Sequence, residues 1–116
     1  MPDKLGDRAR LMHIIDSIET IESYVGDSEY ENFENNSMMK DACVRQLGII
    51  GEASNRISEE IKGANQEIEW RQIIGLRNIV IHQYFGMDDQ VIWDIIQHNL
   101  PNLKSRIISI VNSLGD

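Results

Sequence analysis

Cysteine is almost absent: Cys43 stands alone in 116 residues. No internal disulfide can form, which excludes a disulfide-framed secreted domain and fits a reducing cytoplasm. Cys43 reads as a small core residue on a helix. Proline is scarce too, with only Pro2 and Pro101, so long stretches carry no helix breaker, which favours an all-α chain. Aromatics make up 6% of the residues. No run of about 18 uncharged apolar residues exists, which argues against a membrane-spanning helix. The start Met1-Pro2-Asp3-Lys4 has no apolar stretch behind it, unlike a signal peptide. The chemical motifs missing are as informative. There is no CxxC, HExxH or clustered carboxylate–histidine spacing for a metal, no phosphate-binding glycine loop and no GxSxG elbow. No metal and no cofactor is therefore expected.

Positive charge is also short. Eleven lysines and arginines face nineteen acids, a net charge of −8, which is unusual for a nucleic-acid partner. The deficit is uneven: residues 1–34 carry −6, residues 35–69 carry −2, and residues 70–116 are neutral. The C-terminal part can thus present a local positive patch, and tight unselective nucleic-acid binding is excluded.

What is present is helical periodicity throughout one domain, residues 1–116. Leu11, Ile14, Ile15, Ile18, Ile21 and Val25 recur at helical spacing, opposite a solvated face of Asp16, Glu19 and Glu22. Gly26 reads as the stop, and the polar residues 27–36 as a loop or a short helical turn. Asn36 or Ser37 can cap a second helix running to about Lys62, with Gly63 just beyond it. Gly48 and Gly51 lie inside that helix, where glycine costs about 0.5–1 kcal/mol against alanine; close approach of a neighbouring helix would compensate. A third helix starts near Ile68 to Arg71 and ends at Phe85-Gly86. Asp88 caps a fourth, and Pro101 fits the first turn of a fifth with the stripe Leu103, Ile107, Ile110, Val111 and Leu114. The expected fold is an all-α, up-down bundle of about five helices, with stripes rich enough for a helix-mediated dimer.

Of the three histidines, His13 reads as a partly buried or surface residue and His98 as a cation favouring the end of the fourth helix. His82 differs by its company in Arg77-Asn78-Ile79-Val80-Ile81-His82-Gln83-Tyr84. On a helix Asn78 and His82 are one turn apart, and Arg77 and Tyr84 nearly align. An arginine on so apolar a helix needs a partner, such as Glu52, or a purpose. The four groups suit phosphodiester transfer on RNA. His82 can move a proton to or from a 2′-hydroxyl or leaving oxygen near neutral pH. Arg77 can hold the phosphate and stabilise transition-state charge. Asn78 can orient either, and Tyr84 can stack on a base or bond the phosphate. A rival use of the chain is a ligand pocket near Trp70 and Trp93.

Arg77-Asn78-x3-His82-x-Tyr84 resembles the signature of the HepT-like toxins of the HEPN superfamily. Gln46-Leu47-Gly48-Ile49-Ile50-Gly51-Glu52-Ala53, Trp70-Arg71-Gln72-Ile73-Ile74-Gly75-Leu76, and the stretch from Trp93-Asp94-Ile95-Ile96 to Leu100-Pro101-Asn102-Leu103 resemble further segments of that family, which often carries Met where this chain has Leu76. The resemblance implies a helical bundle, a homodimer with Arg77 and His82 of both chains facing one cleft, and metal-independent RNA cleavage. It also implies a partner, a minimal nucleotidyltransferase antitoxin that transfers AMP to Tyr84. The alternative is a non-catalytic helical subunit that partners a nucleotidyltransferase. The dimer would solve a geometric problem: Arg77 and His82 are about 140° apart on an ideal helix, and a twofold axis can bring one against the other.

Overall fold

A computed structural model describes residues 4–115, so the start Met1-Pro2-Asp3 lies outside the described residues. Among those residues the chain is helical, without a strand. Helix α1 (Lys4–Val25) ends where Gly26 adopts a φ of 53°. Its whole expected stripe, Leu11 to Val25, is buried. This helix packs against α3 (Ser37–Asn55) on one side and the C-terminal α8 (Leu100–Leu114) on another. Fully burying each such Leu or Ile contributes about 1.5–3 kcal/mol. Between α1 and α3 the polar loop contains a short helix, α2 (Tyr30–Glu34), whose Phe33 is fully buried against Trp93. Asn36 caps α3, its side chain accepting from the Met39 N–H at 3.0 Å.

The second helix does not run to Lys62. It stops at Asn55 and restarts as α4 (Glu59–Ala64), which contains Gly63 rather than ending before it. The cause is local. The Ser58 side chain accepts from the Ile61 N–H, and the Ser58 N–H donates to the buried Asp7 carboxylate at 3.0 Å. In a continuous helix that N–H would bond the Ser54 carbonyl instead.

The third helix is likewise not uniform. Helix α5 (Trp70–Gly75) passes into a 3-10 turn (Leu76–Asn78) and then α6 (Ile79–Tyr84). A 3-10 turn rotates about 20° per residue more than an α-helix. Of Ile79-Val80-Ile81, only Ile79 faces the core; Val80 and Ile81 are exposed. Asp88 caps α7 (Asp89–Asp94) by accepting from the Gln90 N–H at 2.9 Å. The fourth and fifth helices are one run, because a π turn (Ile95–Asn99) joins α7 to α8. Its signature is the Leu100 N–H bonding the Ile95 carbonyl. Pro101 follows at once; it has no N–H to give and its ring would crowd the Gln97 carbonyl in a regular turn, so the widened turn accommodates it. His98 therefore sits exposed within a continuous helix, not at a helix end. His13 is exposed as well. Both tryptophans serve packing: Trp70 is buried and its indole N–H donates to the Asn65 carbonyl at 3.0 Å, while Trp93 lies against Tyr30 and Phe33.

Candidate functional site

The residues singled out by the sequence fall on two short elements. Arg77 and Asn78 belong to the 3-10 turn, His82 and Tyr84 to α6. The turn has a specific seat. A Cβ built on Gly51 of α3 would strike the Arg77 backbone nitrogen and come within 2.8 Å of the Leu76 carbonyl carbon. Gly48, one turn earlier, is looser: its Cβ would stand 3.9 Å from the Leu76 oxygen. The close approach expected at these glycines is thus real, and it is concentrated at Gly51 and directed at the backbone of Arg77. The periodicity could flag both glycines but could not say which one mattered or what it met.

The far end of the element is fixed by its C-cap. Gly86 has a φ of 98°, its N–H bonds the Gln83 carbonyl, and the Met87 N–H bonds the His82 carbonyl, both at 3.0 Å. This pair of bonds is the Schellman arrangement, which needs a left-handed residue after the helix. Residues 77–84 are thus pinned by Gly51 at one end and by Gly86 at the other.

The motif side chains between these anchors point to solvent. Arg77, Asn78 and His82 are exposed, and Tyr84 is 86% exposed. Among the described residues Arg77 makes no ion pair. Glu52, its expected partner, pairs instead with Arg56 at 3.6 Å. Arg77 has no burial cost to offset, because its face of the helix is exposed. What remains is an arginine and a histidine left open on a rigid backbone. Exposed Val80, Ile81 and Phe85 surround them, and Phe85 meets Tyr84 edge-on at 5.9 Å. The extra rotation of the 3-10 turn sends Arg77 and His82 further apart than on an ideal helix, so within one chain they do not converge on a single phosphate.

Sequence comparison bears on the same stretch. A family model described as ribonuclease HepT-like matches residues 14–110. A Methanocaldococcus jannaschii protein named as a "Putative RNase" is 36% identical over 86% of this chain and 92% of its own length. A Thermococcus cleftensis protein named "Probable ribonuclease HepT" is 36% identical over 83% of this chain and 87% of its own. A longer M. jannaschii protein, "Gamma-glutamylcyclotransferase and putative RNase", is 35% identical over 90% of this chain, which spans 47% of that relative. No solved structure matches. With the family model covering most of a chain whose helices carry the motif intact, this protein belongs to the HepT-like ribonuclease family.

Proposed function

We propose that the chain cuts RNA without a metal ion, as the toxin of a pair with a minimal nucleotidyltransferase antitoxin, and that it works as a homodimer. One observation carries the reading: the Arg77 and His82 side chains are exposed, make no ion pair or side-chain hydrogen bond among the described residues, and are mounted on a segment held by Gly51 at one end and Gly86 at the other. Two chains related by a twofold axis bring Arg77 of one towards His82 of the other, which a single chain cannot do. The exposed Val80, Ile81 and Phe85 beside them offer apolar surface for such an interface.

In the cleft so formed, the 2′-hydroxyl attacks the adjacent phosphorus. One His82 takes the hydroxyl proton, and the other supplies a proton to the departing 5′-oxygen. The product ends are a 2′,3′-cyclic phosphate and a 5′-hydroxyl. Arg77 neutralises charge on the non-bridging oxygens, and Asn78 holds the phosphate or the imidazole. Control acts through Tyr84, whose hydroxyl stands clear of the fold. Its oxygen attacks the α-phosphorus of ATP in the antitoxin's site, pyrophosphate leaves, and AMP stays on the tyrosine. The new phosphodiester brings negative charge that Arg77 would bind in place of RNA.

Purified protein should cut RNA with chelator present, and His82→Ala and Arg77→Ala should each slow cleavage about 10²–10⁴-fold with helix content intact. Light scattering should give a dimer. Incubation with the neighbouring nucleotidyltransferase and ATP should add whole AMP masses to Tyr84 and stop cleavage. Cleavage that survives His82→Ala, or ceases with chelator, refutes the mechanism. A dimer that binds the nucleotidyltransferase but cuts no RNA points to a non-catalytic subunit instead.

A further inference from the structure

A cavity of about 100 Å³ lies between α5 and the π turn, with Leu76 in its wall, one residue before Arg77. Ile73, Leu76, Ile95 and Leu103 give it an apolar floor, and Gln72, Asn99, Asn102, Glu67 and Arg106 line its rim. The π turn contributes directly, since Asn99 is its last residue and Asn102 follows one turn on. Such turns recur at functional sites.

Arg106 is the unusual member. Its Nε is sealed from solvent without a hydrogen-bond partner. Its Nη1 stands 3.8 Å from the Glu67 Oε1, too far for a hydrogen bond. Other cations of the fold are better served: Lys40 reaches Asp89 at 2.7 Å, and Lys104 reaches Glu22 at 2.9 Å. Arg106 thus keeps its Nε–H buried and unpaired, a cost to the fold, while its half-exposed outer nitrogens remain within reach of an acceptor seated in the cavity.

We propose that this cavity seats the RNA base beside the cut bond, and that it prefers guanine. The proposal rests on the ribonuclease reading above. The apolar floor suits the face of a ring. A guanidinium fork pairs with the O6 and N7 acceptors of guanine, and the Glu67 carboxylate next to it can accept from the guanine N1–H and N2–H groups. The amides of Asn99 and Asn102 serve the rest of the edge. Neither adenine nor the pyrimidines present an adjacent pair of acceptors beside two donors in this order. Because Leu76 is continuous with Arg77, the base seat and the phosphate-binding arginine share one turn of backbone.

The test is a titration of ¹⁵N-labelled protein, following the Arg106 Nε–H and the Asn99 and Asn102 side-chain amides. The four nucleoside 3′-monophosphates and inorganic phosphate are the probes. Guanosine monophosphate should move these signals at concentrations at least tenfold lower than the other three, and phosphate should leave them in place. Equal responses to all bases, or a response to phosphate alone, overturn the proposal. In cleavage of mixed-sequence RNA, Arg106→Ala and Asn102→Ala should raise KM at bonds flanked by guanine about tenfold to a hundredfold and flatten the base preference. Arg106→Lys should behave as Arg106→Ala, because it keeps the charge and loses the fork. Should the wild-type protein cut no RNA, the ribonuclease reading fails while the titration still reports on the cavity. Should it cut RNA with a base preference that Arg106→Ala leaves untouched, the base seat is wrong and the ribonuclease reading stands.

Discussion

Two glycines one turn apart give an internally controlled experiment. Gly48→Ala and Gly51→Ala make the same gain in helix propensity, about 1 kcal/mol. Gly48 has room for the methyl group, and Gly51 does not, because the Arg77 backbone fills the space. Gly48→Ala should therefore raise the melting temperature and leave RNA cleavage as it was. Gly51→Ala must push the 3-10 turn outward and should cut kcat at least tenfold while the protein stays helical by circular dichroism. Equal activity in the two variants would dissociate the turn's seat from the chemistry. Cys43 offers a second test. Its thiol is fully buried, and burial pushes its pKa up to about 11. The unfolded thiol ionises near 9, so the folded state holds its proton more tightly. The stabilisation is fully present below about pH 9 and drains away as pH rises towards 11. Lys104, raised by its bonds to Glu22 and Glu19, and Tyr30, raised by burial and Glu34, weaken the fold in the same direction. Urea unfolding of wild type and Cys43→Ala at pH 8 and pH 10.5 separates the thiol: the variant should lose less stability over that interval. Identical losses would mean that Cys43 is not the group responsible.

The helices themselves were largely legible from spacing, and the departures have identifiable causes. The stripe of α1, the cap at Asn36, the cap at Asp88 and the stop at Gly86 follow from residue chemistry within a turn of each position. The break after Asn55 does not, because half of its cause is Asp7, about fifty residues away in sequence. Asp7→Ala removes the acceptor of the Ser58 N–H and should destabilise the protein by about 1–2 kcal/mol, the usual size of a lost cap. A urea midpoint unchanged from wild type would show that α4 starts without it. The 3-10 turn was hidden for the same kind of reason, since it depends on the surface Gly51 presents and not on the sequence around Arg77. Pro101 suggests the start of a separate helix, yet helix runs into it without a break; a π turn is another way to house a proline, and local sequence does not choose between the two. At the candidate site the identities Arg77, Asn78, His82 and Tyr84 came from the motif, whereas their exposure did not. The expectation of an arginine on an apolar helix failed because apolar Val80 and Ile81 also face outward. The cavity by Arg106 left no local signal, being assembled from residues some forty positions apart.

At the scale of the molecule, the net charge of −8 and the exposed Val80, Ile81 and Phe85 pull in different directions. The charge keeps copies apart at low ionic strength, and the apolar face draws them together. Dimerisation should accordingly strengthen with salt, whereas RNA affinity should weaken with it. Sedimentation at 50 mM and 500 mM salt checks the first half; a dimer that dissociates as salt rises would mean that ionic contacts hold it. Among the described residues no helix is long and apolar enough to cross a membrane.

The seat at Gly51 has a consequence for how the protein fails. The side chains of Arg77 and His82 lie in open water, yet the backbone beneath Arg77 is wedged against Gly51 on a helix face that also carries the core residues Val44 and Leu47. Such a segment cannot open alone, as surface loops commonly do. The amide of Arg77 should exchange its hydrogen as slowly as those of α3, although the guanidinium above it is bathed in solvent. Heat should then abolish activity and helix content over the same few degrees, so that every molecule still folded is also fully competent.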